Sequence, residues 1–425
     1  MEKPVLKTIA DSVSVCHVKT DRFKTSKISV SMAMPLDGDI SAKAILPYIL
    51  RRSCKKFPTF SSLNGRLDEL YGASLGVSVS KYGEAQVLAL TVTSIDDRFS
   101  LNSESVSADA AELLTDLIFE PNFDENGCFK KEDVEAEKRL LIERMISEDD
   151  DKRVYAVKRC QEIMCENEVF GKNRFGTKEE IESLTPERVY AAWQEVIRGA
   201  IIRIVSVSSS SAEEMCNLFS ERFEKPDRKP CTVKTQFIPT ANETKYKSEQ
   251  QKLKQGILVM GFRCCMTAKG EFDPAMTIMA DIFGGGTYSK LFANVREKMS
   301  LCYYCSARFN RNKGIMIVSS GIETENEEKA KSAILAQLED MKNGNFTRED
   351  FDFSIRSLKE TLIGYEDTPE IWYGEQIFLD KIKTPQERIA EIETVKYEDI
   401  KEMAQKVTLD TVFMLAGTGE EEDSE

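Results

Sequence analysis

The chain repeats one order of structural patterns after about 210 residues, and this internal repeat constrains the fold more than any other feature. Each half opens with an alternating apolar run, "SKISVSMAMPLDGD" in the first and "QGILVMGFRC" in the second. Each half closes with a capped helix and a strand, "LTPERVYAAWQEVIRGAIIRIVSVSS" and "VKYEDIKEMAQKVTLDTVFMLAGT". A pattern that occurs twice predicts two domains of the same design.

Helical stretches follow the opening run in each half, and a pair of strands and long amphipathic helices follow those. In the second half, the strand pair is "LCYYCSARFNRNKGIMIVSSGI", with its turn at "NRNKG". The pattern predicts an α+β fold: two similar domains related by internal duplication, each a mostly antiparallel sheet packed with helices, facing each other across a cleft. We expect an N-terminal domain at 1–223, a polar, proline-bearing linker at 224–247 and a C-terminal domain at 248–425.

Length and composition indicate a sizeable globular protein. The 425 residues suffice for two domains of about 200 residues each, and 41% of them are hydrophobic. No apolar run approaches the roughly 20 residues that span a bilayer, so we expect no membrane partner. The N-terminus has no apolar segment typical of a secretory signal, and we therefore expect a cytoplasmic protein.

The charge of the chain argues against a nucleic-acid partner. Asp and Glu number 72 against 58 Lys and Arg, giving a net charge of −14. A phosphate-binding surface needs clustered positive charge, and the sequence has no dense basic stripe. The acidic run at 420–425 is typical of a solvated end.

Eleven cysteines occur without the spacing of a disulfide framework, as expected for reduced thiols inside a cell. Cys302 and Cys305 form a C-x-x-C, but "SLCYYCSARF" is typical of a strand, whereas a redox motif of this spacing needs a strand-to-helix turn. We therefore interpret them, like the other cysteines, as small thiols without redox chemistry.

The most specific stretch is "DIFGGGTYSKLFANVREKMSLCYYCSA", residues 281–307. Its glycine triplet, Gly284, Gly285 and Gly286, is by itself typical of a helix C-cap and turn. With the following "YSKLF" and "VREKMSLCYY", the stretch closely resembles the C-terminal half-domain signature of the pitrilysin/insulinase-type zinc peptidases, which include the mitochondrial processing peptidase. The resemblance covers nearly the whole chain, apart from the linker and the tail.

The resemblance also shows what this chain lacks. Members of that family carry H-x-x-E-H on a helix of the N-terminal half, where two histidines bind zinc and the glutamate activates water. Aligning "KKFP" at 55–58 with the end of that segment puts Ala44 and Tyr48 at the histidine positions and Pro47 at the glutamate position. The resemblance therefore implies a degenerate metal site and no metal or other cofactor in this chain.

A later helix, "EAEKRLLIERMIS", completes the degenerate site in the resemblance. Glu137 matches an acid that lies next to the zinc ligands in the family, and Arg144 stands where the third zinc ligand is expected; a shift of one residue would bring Glu143 nearer. We expect Arg144 to fill the metal's space and to pair with a carboxylate, and Pro47 to delay or kink its helix. The single histidine, His17, lies outside the motif, and we expect it before the first strand as a surface or edge residue.

The chain does keep a second feature of the family, an arginine and tyrosine pair in the C-terminal half. In relatives, an arginine and a tyrosine seven residues apart on the C-terminal domain contact the substrate backbone and the developing oxyanion. Arg296 and Tyr303 have that spacing, and the resemblance implies the same role for them. From the residues alone, Arg296 could equally pair with a carboxylate at a helix end while Tyr303 packs in a sheet.

Some family members divide these duties between two chains. We therefore expect a non-catalytic subunit of a heterodimeric zinc peptidase, which binds extended peptides and supplies Arg296 and Tyr303 to the zinc site of a homologous partner. The alternative is a structural or peptide-binding homologue with no role in hydrolysis. A peptidase with an unconventional metal site is a third hypothesis.

Overall fold

A computed structural model describes residues 3–223, 227–265 and 273–418. The expected acidic tail lies outside these residues. The fold is α+β, as predicted, and the chain divides into two compact units. Unit 1 comprises Met1–Met145, Asn173–Lys234 and Gly364–Pro385, and unit 2 comprises Ile146–Lys172, Thr235–Ile363 and Gln386–Glu425.

The strands form one sheet in each unit. They are β1 (Val5–Ala10), β2 (Val13–Lys19), β3 (Thr25–Pro35), β4 (Ser74–Tyr82), β5 (Ala85–Ile95), β6 (Ile201–Ser208), β7 (Lys245–Gln251), β8 (Gly256–Arg263), β9 (Cys302–Asn310), β10 (Ile315–Ile322) and β11 (Thr408–Gly417).

The helices lie between these strands along the chain. They are α1 (Ile40–Leu50), α2 (Phe60–Glu69), α3 (Val106–Phe119), α4 (Lys131–Asp150), α5 (Lys152–Met164), α6 (Lys178–Glu182), α7 (Pro186–Gly199), α8 (Ala212–Phe223), α9 (Pro274–Gly284), α10 (Glu327–Asn343), α11 (Arg348–Gly364), α12 (Pro369–Gly374), α13 (Pro385–Glu393) and α14 (Tyr397–Gln405), with a π-helix at Leu291–Lys298. Within the described ranges, no helix is both long and apolar enough to cross a membrane.

The two sheets confirm the internal duplication. Sheet 1 has the order β1-β2-β6-β3-β5-β4, and sheet 2 has the order β7-β11-β8-β10-β9. In each sheet one pair is parallel, β2 with β6 and β7 with β11, and the corresponding remaining pairs are antiparallel. Sheet 2 therefore repeats sheet 1 strand for strand, and β1 is an addition to the first.

The units differ from the expected domains in two exchanged segments. The segment 146–172, from the first half of the sequence, belongs to unit 2, where α5 packs on β8 and β11. Its apolar side chains, Cys160 and Met164 among them, are buried together with Val259 and Phe413. The segment 364–385, from the second half, belongs to unit 1, where α12 packs on β6 and β3.

Part of the expected linker is bound to unit 1. The backbone amides of Lys229 and Cys231 donate to the carbonyls of Arg198 and Gly199, at 2.8 and 2.7 Å. The last three residues of the expected linker, 245–247, begin β7. The described part of the 224–247 segment is therefore hydrogen-bonded to unit 1 near its start and forms the beginning of β7 at its end.

A buried ionic cluster ties the end of the first exchanged segment to sheet 2. Glu168 accepts hydrogen bonds from Arg263 at 2.7 Å and forms an ion pair with Lys313 at 2.7 Å. Arg263 also donates to Asp410, at 2.8 Å. All four side chains are at most 5% exposed. Such a cluster is tolerated because each charge has a partner, and removing one partner would leave another charge buried.

The expectation for His17 is wrong. His17 lies within β2, between β1 and β6, and is 1% exposed. Its Nε2 lies 3.1 Å from the carbonyl oxygen of Ser210. The alternation of "VSVCHVK" is that of a strand, but a histidine at a core position weakened the signal.

Candidate functional site

Helix α1 carries the three degenerate metal-site positions. The Asp39 side chain caps it by accepting from the Ala42 amide at 3.1 Å, and all eleven helical residues are buried. The helix runs without interruption from Ile40 to Leu50, so the expected late start is wrong. Pro47 lies in the interior, where it removes one backbone hydrogen bond, and the helix ends three residues later.

The residues at these positions do not fit zinc. Ala44 is fully buried and has no donor atom, and the ring of Pro47 has none either. Tyr48 is 3% exposed, and its hydroxyl accepts a hydrogen bond from Arg144. Zinc sites in proteins use thiolate, imidazole and carboxylate ligands. In the part of the chain that the structure describes, no group of three such side chains could hold a metal ion.

Arg144 lies over this site, but the expected carboxylate partner is wrong. Its Nη1 donates to the Tyr48 hydroxyl at 2.9 Å, and its guanidinium lies 4.6 Å from the centre of the Tyr48 ring. Among the described residues it forms no ion pair. Arg144 is exposed, so water solvates the charge and no carboxylate is required.

The carboxylate of Glu137 is paired instead with Arg52, a residue that sequence reasoning missed. Arg52 donates to Glu137 at 2.9 Å and to Asp133 at 2.7 Å, and the Glu137 side chain is 3% exposed. Burial tends to lower the pKa of Arg52, but the hydrogen bonds to Glu137 and Asp133 outweigh it and raise that pKa. A guanidinium thus neutralises the buried Glu137 carboxylate. The only signal in the sequence was a basic pair, "RR" at 51–52, directly after α1.

Arg296 and Tyr303 are brought together in unit 2. Arg296 lies in the π-helix, and its Nε donates to the backbone carbonyl of Tyr303 at 2.9 Å. Its Nη1 donates to Glu297 at 2.7 Å, and the guanidinium lies over the Phe292 ring at 4.6 Å. The side chains of Arg296 and Tyr303 are partly exposed, Tyr303 at 54%. Both therefore present polar groups at the surface of the unit.

A β-bulge explains why Tyr303 projects outward. Along β10, Gly321 pairs with Tyr304 and Ile322 pairs with Cys302, so Tyr303 is the extra residue with no partner. β9 is an edge strand, since it pairs only with β10. Bulges re-aim side chains and are common at sheet edges and next to functional sites. The strand pattern predicted β9 but not this shift in register.

The Tyr303 hydroxyl has an acceptor of its own. It donates to Glu323 at 2.6 Å, and this hydrogen bond to a carboxylate raises the pKa of Tyr303. The neighbouring Tyr304 is held differently. Its hydroxyl lies 3.3 Å from that of Ser319, and Arg153 lies 4.1 Å from the centre of its ring. The hydrogen bond of the Tyr303 hydroxyl is exposed, whereas the contact of the Tyr304 hydroxyl is partly buried.

The glycine triplet allows close packing around this region. Gly285 is the C-cap of α9, as the pattern predicts, but its φ of −77° is right-handed. A Cβ on Gly284 would lie 2.5 Å from the backbone nitrogen of Ala307 in β9, and one on Gly285 would lie 2.1 Å from a carboxylate oxygen of Asp281. Gly284 thus lets the end of α9 approach β9. The triplet serves packing, not a left-handed turn.

Comparison with known proteins identifies the family. The profile of the family described as "Peptidase M16 inactive domain" matches residues 183–358. The protein named "Probable inactive metalloprotease YmfF" of Bacillus subtilis (strain 168) is 31% identical over 408 residues, covering 94% of this chain and 95% of that protein. The chain belongs to the M16 peptidase family.

Solved structures match nearly the whole chain. A conserved protein from Enterococcus faecalis V583 matches with a TM-score of 0.88 and 26% identity, over 99% of this chain and 100% of the other. A peptidase M16 inactive domain from Pseudomonas fluorescens matches with a TM-score of 0.79 and 14% identity, over 99% of each chain. These matches agree with the two-domain α+β fold.

Within the M16 family, this chain is a non-catalytic member. Ala44, Pro47 and Tyr48 offer neither imidazole ligands nor a general base, and Arg144 offers no ligand either. The resemblance to the pitrilysin/insulinase-type zinc peptidases, drawn from residues 281–307, is confirmed: the family profile matches residues 183–358, and the Bacillus subtilis relative matches 94% of the chain. Unit 1 therefore carries the four positions that do not fit zinc, and unit 2 carries Arg296 and Tyr303.

Proposed function

We propose that this chain is the non-catalytic subunit of a heterodimeric zinc peptidase, and that it binds extended peptides and lends Arg296 and Tyr303 to a homologous partner that holds the zinc. One observation carries the proposal. The Arg296 guanidinium is hydrogen-bonded to the backbone of Tyr303, so that the two donors form one exposed group. A chain without its own zinc site has no use for such a group in catalysis unless another chain supplies the metal.

The chemistry of this group suits a peptide carbonyl. A guanidinium carries five N–H donors, and the hydrogen bonds of Arg296 to described residues use Nε and Nη1. The Nη2 group of Arg296 therefore remains available to donate a hydrogen bond to a carbonyl oxygen of a bound peptide. Charge-assisted donors of this kind stabilise an oxygen that becomes negative during hydrolysis.

The strand that carries Tyr303 supports the peptide-binding part of the proposal. β9 is the edge of sheet 2, and its free side presents backbone groups that no described strand pairs with. Extended peptides bind to exposed strand edges through main-chain hydrogen bonds. An extended peptide added beside β9 would pass the side chain of Tyr303.

The alternative is a structural homologue, and a specific observation favours it. The Tyr303 hydroxyl, which has a single proton, already donates to Glu323. Arg296 likewise uses its Nε to satisfy the carbonyl at the bulge. If these bonds are permanent, the pair merely stabilises the start of β9.

Kinetics of a reconstituted complex separate the two proposals. The chain is combined with a homologous subunit that carries H-x-x-E-H, and kcat and KM are measured on one peptide for wild type, Arg296→Ala and Tyr303→Phe. Loss of an oxyanion donor costs about 10²- to 10³-fold in kcat. Loss of a uniform contact with the peptide would raise KM and leave kcat unchanged.

Two neighbouring residues provide matched controls. Arg308 is an exposed arginine on the same strand, and Tyr304 is a tyrosine whose hydroxyl lies against Ser319. Arg308→Ala and Tyr304→Phe should leave both kinetic constants unchanged. Unchanged kinetics in Arg296→Ala and Tyr303→Phe, with assembly verified by gel filtration, would favour the structural homologue.

We also propose a cytoplasmic location. All eleven cysteines are free thiols, and most of them are buried. An oxidising compartment favours proteins with disulfide frameworks, while cytosolic reductants keep thiols reduced. Fractionation of cells followed by immunodetection would test this location.

A further inference from the structure

The β-bulge at Tyr303 changes the relative positions of the two cysteines of the C-x-x-C motif, Cys302 and Cys305. In a regular strand, residues three apart point to opposite faces, because side chains alternate. Cys302 and Cys305 pair instead with Ile322 and Ser320, which are two residues apart on β10 and so share a face. The extra residue therefore places both cysteines on one face of β9, as neighbours.

The two thiols are within hydrogen-bonding reach of each other, and the hydroxyl of Ser320 lies close to both. The hydrogen bond from Cys305 is the largest influence on Cys302 and lowers its pKa to about 7, with a smaller contribution from the Arg296 guanidinium. The same interaction and burial raise the pKa of Cys305. For the other cysteines that show a shift, burial raises the pKa, as it does to about 12 for Cys16 and Cys165.

The two cysteine sulfurs differ in their exposure to solvent. Cys302 is partly exposed, whereas Cys305 is buried, at 4%. A small reactant can therefore reach Cys302 but not Cys305. This is the arrangement of an attacking thiol and a resolving thiol.

We propose that Cys302 and Cys305 are a redox-modification site that takes low-molecular-weight disulfides of the glutathione type. The Cys302 thiolate attacks one sulfur of the oxidant RSSR, which forms a mixed disulfide and releases RS⁻. Cys305 loses its proton to solvent and attacks the Cys302 sulfur, which forms the Cys302–Cys305 bond and releases the second RS⁻. Overall, two cysteine thiols and RSSR give one protein disulfide and two RSH.

The separation of the two cysteines along β9 makes the Cys302–Cys305 disulfide easy to reduce. Ile322 and Ser320, the partners of the two cysteines on β10, are two residues apart, or about 6.6 Å between Cα atoms at about 3.3 Å per residue. The cysteines opposite them, with the bulge between, are therefore set about as far apart as the longest Cα separation, roughly 6.8 Å, that a disulfide bridges. A strained disulfide is reduced easily, and labile bonds of this type are regulatory rather than structural. Closing it would lock the backbone on both sides of Tyr303.

Trypsin gives a direct test, because cleavage after Lys298 and Arg308 releases one peptide, "MSLCYYCSAR", which contains both cysteines and no others. The full chain is incubated with oxidised glutathione, free thiols are alkylated with iodoacetamide, and the digest is analysed by mass spectrometry. We expect this peptide to be lighter by two hydrogens and to carry no alkyl group. After dithiothreitol treatment, it should carry two.

Single substitutions test the order of events. Cys305→Ser should accumulate a glutathione adduct on Cys302, and Cys302→Ser should leave Cys305 unmodified. The exposed Cys265 serves as a control that can form a mixed disulfide, because Cys264 beside it is buried. Two alkylated cysteines, or a glutathione adduct that persists on Cys302 in the wild-type chain, would overturn the proposal. The wild-type result decides even if a variant does not fold, and it is independent of any peptide binding.

Discussion

The Nε of Arg296 donates a hydrogen bond to the backbone carbonyl of Tyr303, at 2.9 Å. The carbonyl belongs to the bulged residue, which has no partner on β10. A long side chain from the π-helix thus satisfies a backbone group that the sheet leaves unpaired. The π-helix and the bulge depend on each other, so the position of the guanidinium and the outward direction of the phenol are set together.

The first prediction concerns the acceptor of the Tyr303 hydroxyl. Glu323→Gln should lower the pKa of Tyr303, because a neutral amide no longer stabilises the protonated phenol as the carboxylate does. The titration can be followed by NMR with ring-labelled tyrosine, and Tyr303→Phe identifies the resonance. If the pKa is the same in the Glu323→Gln variant, the bond at 2.6 Å does not hold the hydroxyl in solution.

The second prediction concerns zinc. The wild-type chain should retain no stoichiometric zinc after dialysis, because Ala44 and Tyr48 provide no ligand of the kind that zinc requires. The combined variant Ala44→His, Pro47→Glu, Tyr48→His and Arg144→Glu should bind about one zinc per chain, and no single reversion should do so. Elemental analysis measures both. One zinc per wild-type chain would refute the prediction, and an empty combined variant would mean that the backbone of α1 no longer fits a metal.

The third prediction concerns Arg52, whose guanidinium pairs with the Glu137 carboxylate. Arg52→Met should destabilise unit 1, because it leaves the buried Glu137 carboxylate without its cation. Fully buried pairs cost about 3–5 kcal/mol when one partner is lost, and the partial exposure of Arg52 reduces this to roughly 1–3 kcal/mol. Urea unfolding followed by circular dichroism measures the free energy of unfolding.

Two further variants test the cause of that loss. Arg52→Met combined with Glu137→Gln should recover most of the stability, because the uncompensated charge is gone. Lys178→Met removes an exposed ion pair with Glu182 and should cost less than about 1 kcal/mol. If the double variant is as unstable as Arg52→Met, the loss comes from packing rather than from charge.

The fourth prediction is a pH dependence of stability in unit 2. Burial tends to raise the pKa of Glu168, but hydrogen bonds from Arg263 and Lys313 outweigh it and lower that pKa. A lowered pKa in the folded state means that the stabilisation is complete above the unfolded value, near about 4.5, and is lost as the pH falls through the folded value. Unfolding at a series of pH values should show this loss on acidification.

Glu168→Gln should abolish the part of the folding stability that is lost on acidification. It should also cost about 3–5 kcal/mol of stability at neutral pH, because it leaves Arg263 and Lys313 buried with too little negative charge. Glu328→Gln is the control, since Glu328 forms an exposed pair with Lys331 on one helix and should change stability little. Equal stability of wild type and Glu168→Gln at neutral pH would contradict the prediction.

Local patterns predicted the fold well wherever the signal lay within one element. The β9 and β10 pair, its turn and the opening strand of the second half were expected within one or two residues of their observed bounds. The identity of the residues at the zinc positions followed from the spacing to "KKFP". Strand alternation and motif spacing are properties of neighbouring residues, and a single sequence records them directly.

Relationships between distant residues could not be predicted in the same way. The pairing of Arg52 with Glu137 joins residues 85 positions apart, and several arginines in the first half were equally plausible partners. The bulge at Tyr303 depends on the register with β10, which the sequence of β9 alone does not specify. The apolar residues of α5 predict that the helix packs on a sheet but not on which one, and tertiary packing places it on sheet 2.

The two exchanged segments limit how this polypeptide can be divided. Cutting the chain in the 224–247 region would leave the first fragment without 364–385, which contributes Trp372 and Tyr373 to the interior of unit 1. The second fragment would lose 146–172 and with it Glu168, the anionic partner of two buried cations. Neither fragment would be a self-sufficient protein, although the sequence repeat suggests a natural point of separation. Genes that encoded the halves separately would have to be expressed together, because each half carries a segment that completes the unit built mainly from the other.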